Sequence, residues 1–170
     1  MAMEVLSTLA RDELPRVRAI VAEELKHTEN APKEIIKELA EDLEDIVSAP
    51  ILEYSPLLSG KDLLQLIASG MKSRKLAAVA SRRKINSKVV EALVDTGEPE
   101  AVHGVLKNKT ADISDNAYDQ ISQQAETQES IQHLMVNRED LPVRTIQRIS
   151  RFVNGSLMEA LIKRHRGQKE

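Results

Sequence analysis

Apolar residues return along this chain at a spacing that no single helix or strand would produce. Leu39, Leu66, Leu93, Ile121 and Ile149 are separated by 27, 27, 28 and 28 residues. Three residues before each stands another apolar side chain: Ile36, Leu63, Val90, Tyr118 and Ile146. A leading column, Ala31, Leu58, Ile85, Ile113 and Leu141, keeps the same step. The residues that follow it are Pro32, Ser59, Asn86, Ser114 and Pro142. Ser and Asn accept hydrogen bonds from the unpaired N–H groups of a helix start, and Pro has no N–H to leave unpaired there. Apolar residues at i and i+3 after such a starter predict a short helix with one face on a core. A second register precedes it, Leu25, Leu52, Val79, Leu106 and Leu134, with steps of 27, 27, 27 and 28. Each unit therefore predicts two short helical pieces.

One such pair cannot bury its own apolar face, but neighbouring pairs stacked in line can share a continuous core. The expected fold is all-α: a right-handed α-solenoid of about five short two-helix repeats of the HEAT-like kind. A short helix is expected at 4–11, and a longer one opening at Leu14-Pro15. Pro32 starts a helix reaching about Leu43. The piece Ile46–Leu52 carries Pro50 and is expected to be short or partly 3₁₀. Helices then follow at 59–68, 74–80, 87–94, 99–106, 114–124, 128–135 and 142–152, with Gly70 and Gly97 closing two of them. A terminal capping helix is expected at about 157–164, and a frayed tail at 167–170. No linker rich in Pro, Gly or Ser divides the chain, so 1–170 reads as a single helical-repeat domain.

Composition narrows the chemistry. With one Phe, two Tyr and no Trp, aliphatic side chains must build the core. The absence of Cys excludes disulfides, thiol nucleophiles and thiolate metal sites. No apolar run approaches the roughly 20 residues needed to cross a bilayer. The start, Met1-Ala2-Met3-Glu4-Val5, lacks the basic-then-apolar form of a secretory signal. A cytoplasmic protein is the expectation. None of His27, His103, His133 and His165 has a partner at the spacing of a helical metal pair, and there is no phosphate-binding loop, dinucleotide fingerprint or nucleophile elbow. Glu41-Asp42 and Glu44-Asp45 would need an enclosed pocket to act as acid and base, which a turn ridge does not offer. No catalytic residue, metal site or cofactor is expected.

The segments Ala49-Pro50-Ile51-Leu52-Glu53-Tyr54-Ser55-Pro56-Leu57-Leu58-Ser59 with Asp62-Leu63-Leu64, Leu9-Ala10-Arg11-Asp12 with Val17-Arg18, Leu39-Ala40-Glu41-Asp42, and Asn108-Lys109-Thr110-Ala111-Asp112-Ile113-Ser114 add a likeness. Together they resemble a bacterial family, common in alphaproteobacteria, known only as a domain of unknown function. The resemblance spans most of residues 5–150. It implies helical repeats related to HEAT and leucine-rich-variant repeats, and it carries over no catalytic residue. Members are often longer than this chain.

What remains is surface. Net charge is −3, unevenly spread. Met1–Asp62 holds 14 acidic and 7 basic residues, whereas Met71–Lys88 holds only basic ones: Lys72, Arg74, Lys75, Arg82, Arg83, Lys84 and Lys88. The C-terminal part is basic again, through Arg138, Arg144, Arg148, Arg151, Lys163, Arg164 and Arg166. Repeat proteins present the second helix of each unit side by side. One column on that surface is Glu34, Lys61, Lys88, Asn116 and Arg144; another is Lys37, Leu64, Glu91, Asp119 and Gln147. A non-enzymatic scaffold for an unknown protein partner is the expectation. Its candidate contacts are Lys61, Leu64, Lys88, Glu91, Asn116, Asp119, Arg144 and Gln147. Leu64 is apolar among polar equivalents, so it is either an exposed anchor or packs under the first helix of its unit. The alternative is nucleic-acid binding through Arg74, Lys75, Arg82, Arg83, Lys84 and Lys88, because a basic turn can grip phosphates. The acidic balance and the shortage of stacking aromatics argue against it.

Overall fold

The structure is a computed structural model and describes residues 2–166. The tail expected at 167–170 lies outside the described residues. Those residues form twelve α-helices and no strand: α1 (Ala2–Leu9), α2 (Pro15–Leu25), α3 (Lys33–Ala40), α4 (Asp45–Tyr54), α5 (Gly60–Ala68), α6 (Ser73–Ala80), α7 (Ser87–Asp95), α8 (Pro99–Lys107), α9 (Asp115–Ala125), α10 (Glu129–Val136), α11 (Val143–Ile149) and α12 (Gly155–Arg166). Helices α2, α4, α6, α8, α10 and α12 pack one on the next, and α5, α7, α9 and α11 do the same in a second row. Contacts of α3 with α4, α7 with α8, and α9 with α10 join the rows.

The column residues meet between the rows. Leu39, Leu66, Leu93, Ile121 and Ile149 are all buried in one continuous apolar cluster, together with Leu25, Leu52, Val79 and Leu106. Leu134 and Ile146 are partly buried against it. Each fully buried aliphatic side chain contributes roughly 1.5–3 kcal/mol, which must offset the entropy lost in ordering the chain.

The starter column behaves as its chemistry requires. The side chains of Ser59, Asn86 and Ser114 accept from the N–H groups of Asp62, Val89 and Ala117. Asp62 returns the bond by accepting from the Ser59 N–H at 2.9 Å, completing a capping box. Pro32 and Pro142 occupy the capping position itself, not the first helical residue. Gly70 and Gly97 close α5 and α7 with φ of 94° and 73°, a conformation that costs a residue with a Cβ.

Helix α1 lies at Ala2–Leu9, two residues earlier than the expected 4–11, and four further local features differ from the sequence expectation. Helix α3 stops at Ala40, because the Asp42 side chain accepts from the Glu44 N–H at 3.0 Å and turns the chain. Leu43 is left 91% exposed. Helix α4 is a ten-residue α-helix with Pro50 inside it; burial of Val47, Ser48, Ile51 and Leu52 on its inner side outweighs the one backbone bond Pro removes. Helix α11 ends at Ile149, whose carbonyl then accepts from both Phe152 and Val153. Helix α12 starts two residues early because Asn154 Oδ1 caps the Leu157 N–H. Glycine also has a use beyond helix ends. In the middle of α8, a Cβ at Gly104 would sit 2.8 Å from the Ala80 Cβ of α6. Only glycine lets these two helices approach so closely.

Candidate partner-binding face

On the α3–α5–α7–α9–α11 row, the first candidate column is open to water. Glu34, Lys61, Lys88, Asn116 and Arg144 are all exposed. The second column sits lower: Lys37, Leu64, Glu91 and Asp119 are half-buried, and Gln147 is exposed. Leu64 packs against the apolar cluster and does not stand out as an anchor.

Side chains of this face stitch successive helices together. Lys33 Nζ and Lys37 Nζ of α3 reach Asp62 of α5 at 3.0 and 3.3 Å. Ser114 Oγ donates to Glu91 Oε1 at 2.7 Å. Arg144 Nη2 reaches Asp119 Oδ2 at 2.9 Å. Asp62 is the electrostatic low point. Burial alone would raise its carboxyl pKa, but the Ser59 N–H, Lys33, the Ser59 hydroxyl and Lys37 together hold it far below the ordinary carboxylate range. The Arg144–Asp119 pair and the lysine ends of the Asp62 bridges are open to water, where an ion pair contributes little, whereas Asp62 itself is buried.

The other row is held differently. Arg82 Nη1 and Nη2 donate to the carbonyls of Leu52 and Ser55 at 2.8 and 2.6 Å. Asn108 Nδ2 donates to the carbonyls of Ala80 and Arg82 at 2.8 and 2.6 Å. Arg138 donates to Leu106, Asn108 and Ala111 carbonyls at 3.4, 2.6 and 3.3 Å. Each clamp closes the open carbonyl end of the preceding helix of the row, and at Arg82 and Arg138 the positive charge also suits the dipole. Arg138 is nearly fully buried and grips Asp140 through two bonds of 2.9 and 2.8 Å. Tyr118 donates to the same carboxylate. Burial first, and then that bond, raise the Tyr118 phenol above its ordinary pKa. Sequence reasoning passed over these clamps. The signal was there, since Arg82 and Arg138 are 56 residues apart, two steps of 28.

The clamps change the basic patch. Arg82 is committed to backbone carbonyls, and Lys75 Nζ donates to the Asp42 carbonyl at 2.7 Å. The Lys84 backbone N–H donates to Thr110 Oγ1 at 2.9 Å, with Lys84 at φ 58°. Arg74 lines a groove with Ala19, Ile46, Ala49, Pro50 and the acidic Glu23 and Asp45, apart from the turn that holds Arg82. Arg83, Lys84 and Lys88 are exposed. The histidines make ordinary contacts, such as His103 Nε2 with Ser130 Oγ at 3.2 Å and the His27 ring 5.0 Å from that of Tyr54. Among the described residues, no cluster of His, Asp or Glu could hold a metal ion, and no helix is long and apolar enough to cross a membrane.

Two rows of short helices, with the ends of α4, α6 and α8 closed by donors from Arg82, Asn108 and Arg138, make the described residues an all-helical fold. Residues 47–170 match the family described as uncharacterised proteins conserved in bacteria (DUF2336), and the chain belongs to that family. No curated protein and no solved structure matches it.

Proposed function

We propose that the chain is a non-enzymatic protein-interaction scaffold of the bacterial cytoplasm. In this reading the two rows make a single domain, a right-handed HEAT-like solenoid of about five helix pairs, and the α3–α11 row is the partner face. The observation that carries the proposal is the exposed column Glu34, Lys61, Lys88, Asn116 and Arg144. It displays a carboxylate, two ammonium groups, an amide and a guanidinium in turn along the row, above residues that already hold the fold. A specific partner needs such a varied but rigidly spaced display.

Affinity purification from the native cell with the wild-type chain and with Lys61→Glu/Lys88→Glu tests this. The expected result is a partner that the double variant loses while its melting temperature is unchanged. A partner retained by that variant, and lost only when the opposite row is altered, would move the face elsewhere. Retention on duplex DNA at about 50 mM salt, where backbone contacts are strongest, would revive nucleic-acid binding by Arg83, Lys84 and Lys88.

A further inference from the structure

The partner face ends in a groove of about 460 Å³ between α9 and α11, lined by Glu126, Arg144, Gln147, Arg148, Arg151 and Phe152. Arg144 and Arg148 lie one turn apart on α11, and Arg151 follows in the next turn. Three guanidinium groups thus border one cleft against a single carboxylate, Glu126. Phe152, the only phenylalanine of the chain, contributes a half-buried apolar wall.

These arginines are used unequally by the fold. Arg144 makes one exposed pair, with Asp119. Arg148 makes one long bond, 3.4 Å from its Nη1 to the Asp119 carbonyl. Arg151 is exposed, and its guanidinium has no partner among the described residues. Compare Arg138, whose guanidinium donates to three backbone carbonyls and both oxygens of a carboxylate. The fold saturates one arginine and leaves most donors of three others pointing at a cleft. A guanidinium presents a planar fork that matches a carboxylate two bonds at a time.

We infer that the α9–α11 groove binds an acidic peptide segment, its Asp and Glu carboxylates bridging Arg144, Arg148 and Arg151 while an apolar side chain of the peptide rests on Phe152. The inference rests on the scaffold reading and narrows the partner to one with an exposed acidic stretch. An incoming carboxylate replaces Asp119 as the partner of Arg144, so only Arg144 exchanges a bond on binding.

The test is fluorescence anisotropy with a short labelled peptide rich in Glu and Asp, at about 0.05 M salt and again at about 0.3 M. The expected result is saturable binding that weakens with salt and falls about tenfold or more for each of Arg148→Gln and Arg151→Gln. The reversal Lys107→Glu/Lys109→Glu, on a different basic surface, should change it less than about threefold. Thermal melts establish that each variant is folded; Arg151→Gln touches no internal contact and serves even if Arg148→Gln does not fold. No binding at low salt, or equal loss in the Lys107/Lys109 variant, overturns the inference. So does tighter binding of duplex DNA that the same arginine variants abolish. Failure here leaves the scaffold reading standing if a native partner is lost in Lys61→Glu/Lys88→Glu but kept in Arg151→Gln; loss in none of them removes both.

Discussion

The two rows of helices solve the same joining problem with different chemistry. In the α2–α12 row, donors from one unit enter the exposed carbonyl end of the helix before it, as Arg82, Asn108 and Arg138 do. In the α3–α11 row, side chain meets side chain near the surface: Lys37 with Asp62, Ser114 with Glu91, Arg144 with Asp119. A backbone carbonyl is present whatever the sequence, so a clamp aimed at it constrains one residue. A pair of side chains constrains two, and where both partners face water, as in Arg144 with Asp119, the pair matters little. The first row is therefore where the stack is fastened, and the second is where surface sequence has more room to vary.

Variants can break that contrast. The largest effect belongs to Arg138→Met. It should cost about 3–5 kcal/mol in chemical denaturation, because buried carbonyls and the Tyr118–Asp140 pair lose their donor. Leu93→Ala, in the shared core, should cost about 2–5 kcal/mol. A loss below about 0.5 kcal/mol would mean that the apolar columns do not bear on stability. Gly104→Ala sharpens the close approach of α6 and α8. Alanine gains about 1 kcal/mol of helix propensity but meets Ala80 at 2.8 Å, so a net loss of about 1 kcal/mol is expected from overpacking; a gain would show that the helices separate easily.

The α3–α11 row gives the smaller effects. The folded Asp62 carboxyl has a pKa below its unfolded value, so the unfolded chain takes up the proton first. Its contribution is complete above about pH 5 and is lost as pH falls through the carboxylate range. Asp62→Asn should flatten the acid side of the stability profile by up to about one proton, read from denaturation midpoints between about pH 5 and 2. Arg144→Ala, breaking an exposed pair, should cost less than about 1 kcal/mol. An Arg144 effect as large as that of Arg138 would erase the distinction between the rows.

Much of this was legible beforehand because it is local or periodic. The apolar columns located the core, and Ser59, Asn86 and Ser114 located three helix starts, since a hydroxyl or amide beside an apolar run has one strong use. Less legible were features set by what lies a full unit away. Arg82 read as a phosphate grip because its turn is basic; only the position of the Leu52 and Ser55 carbonyls shows otherwise. Gly104 drew no notice in the sequence; its use shows only with Ala80 placed against it. Pro50 argued for a short segment, yet burial along α4 prevailed. For the candidate face, the column Glu34, Lys61, Lys88, Asn116 and Arg144 is exposed and Leu64 takes the inward of the two positions the sequence left open; spacing did not show that Arg148, Arg151 and Phe152 would border one groove.

The clamps all point backward along the chain: the donor comes 26 to 32 residues after the carbonyls it closes. During synthesis, then, a helix pair that has just left the ribosome still waits for its latch, which arrives only when about one more repeat has been made. The stack should consolidate stepwise from its N-terminal side. A nascent chain halted just before Arg138 should have its α8 end more open to proteolysis than one halted just after it.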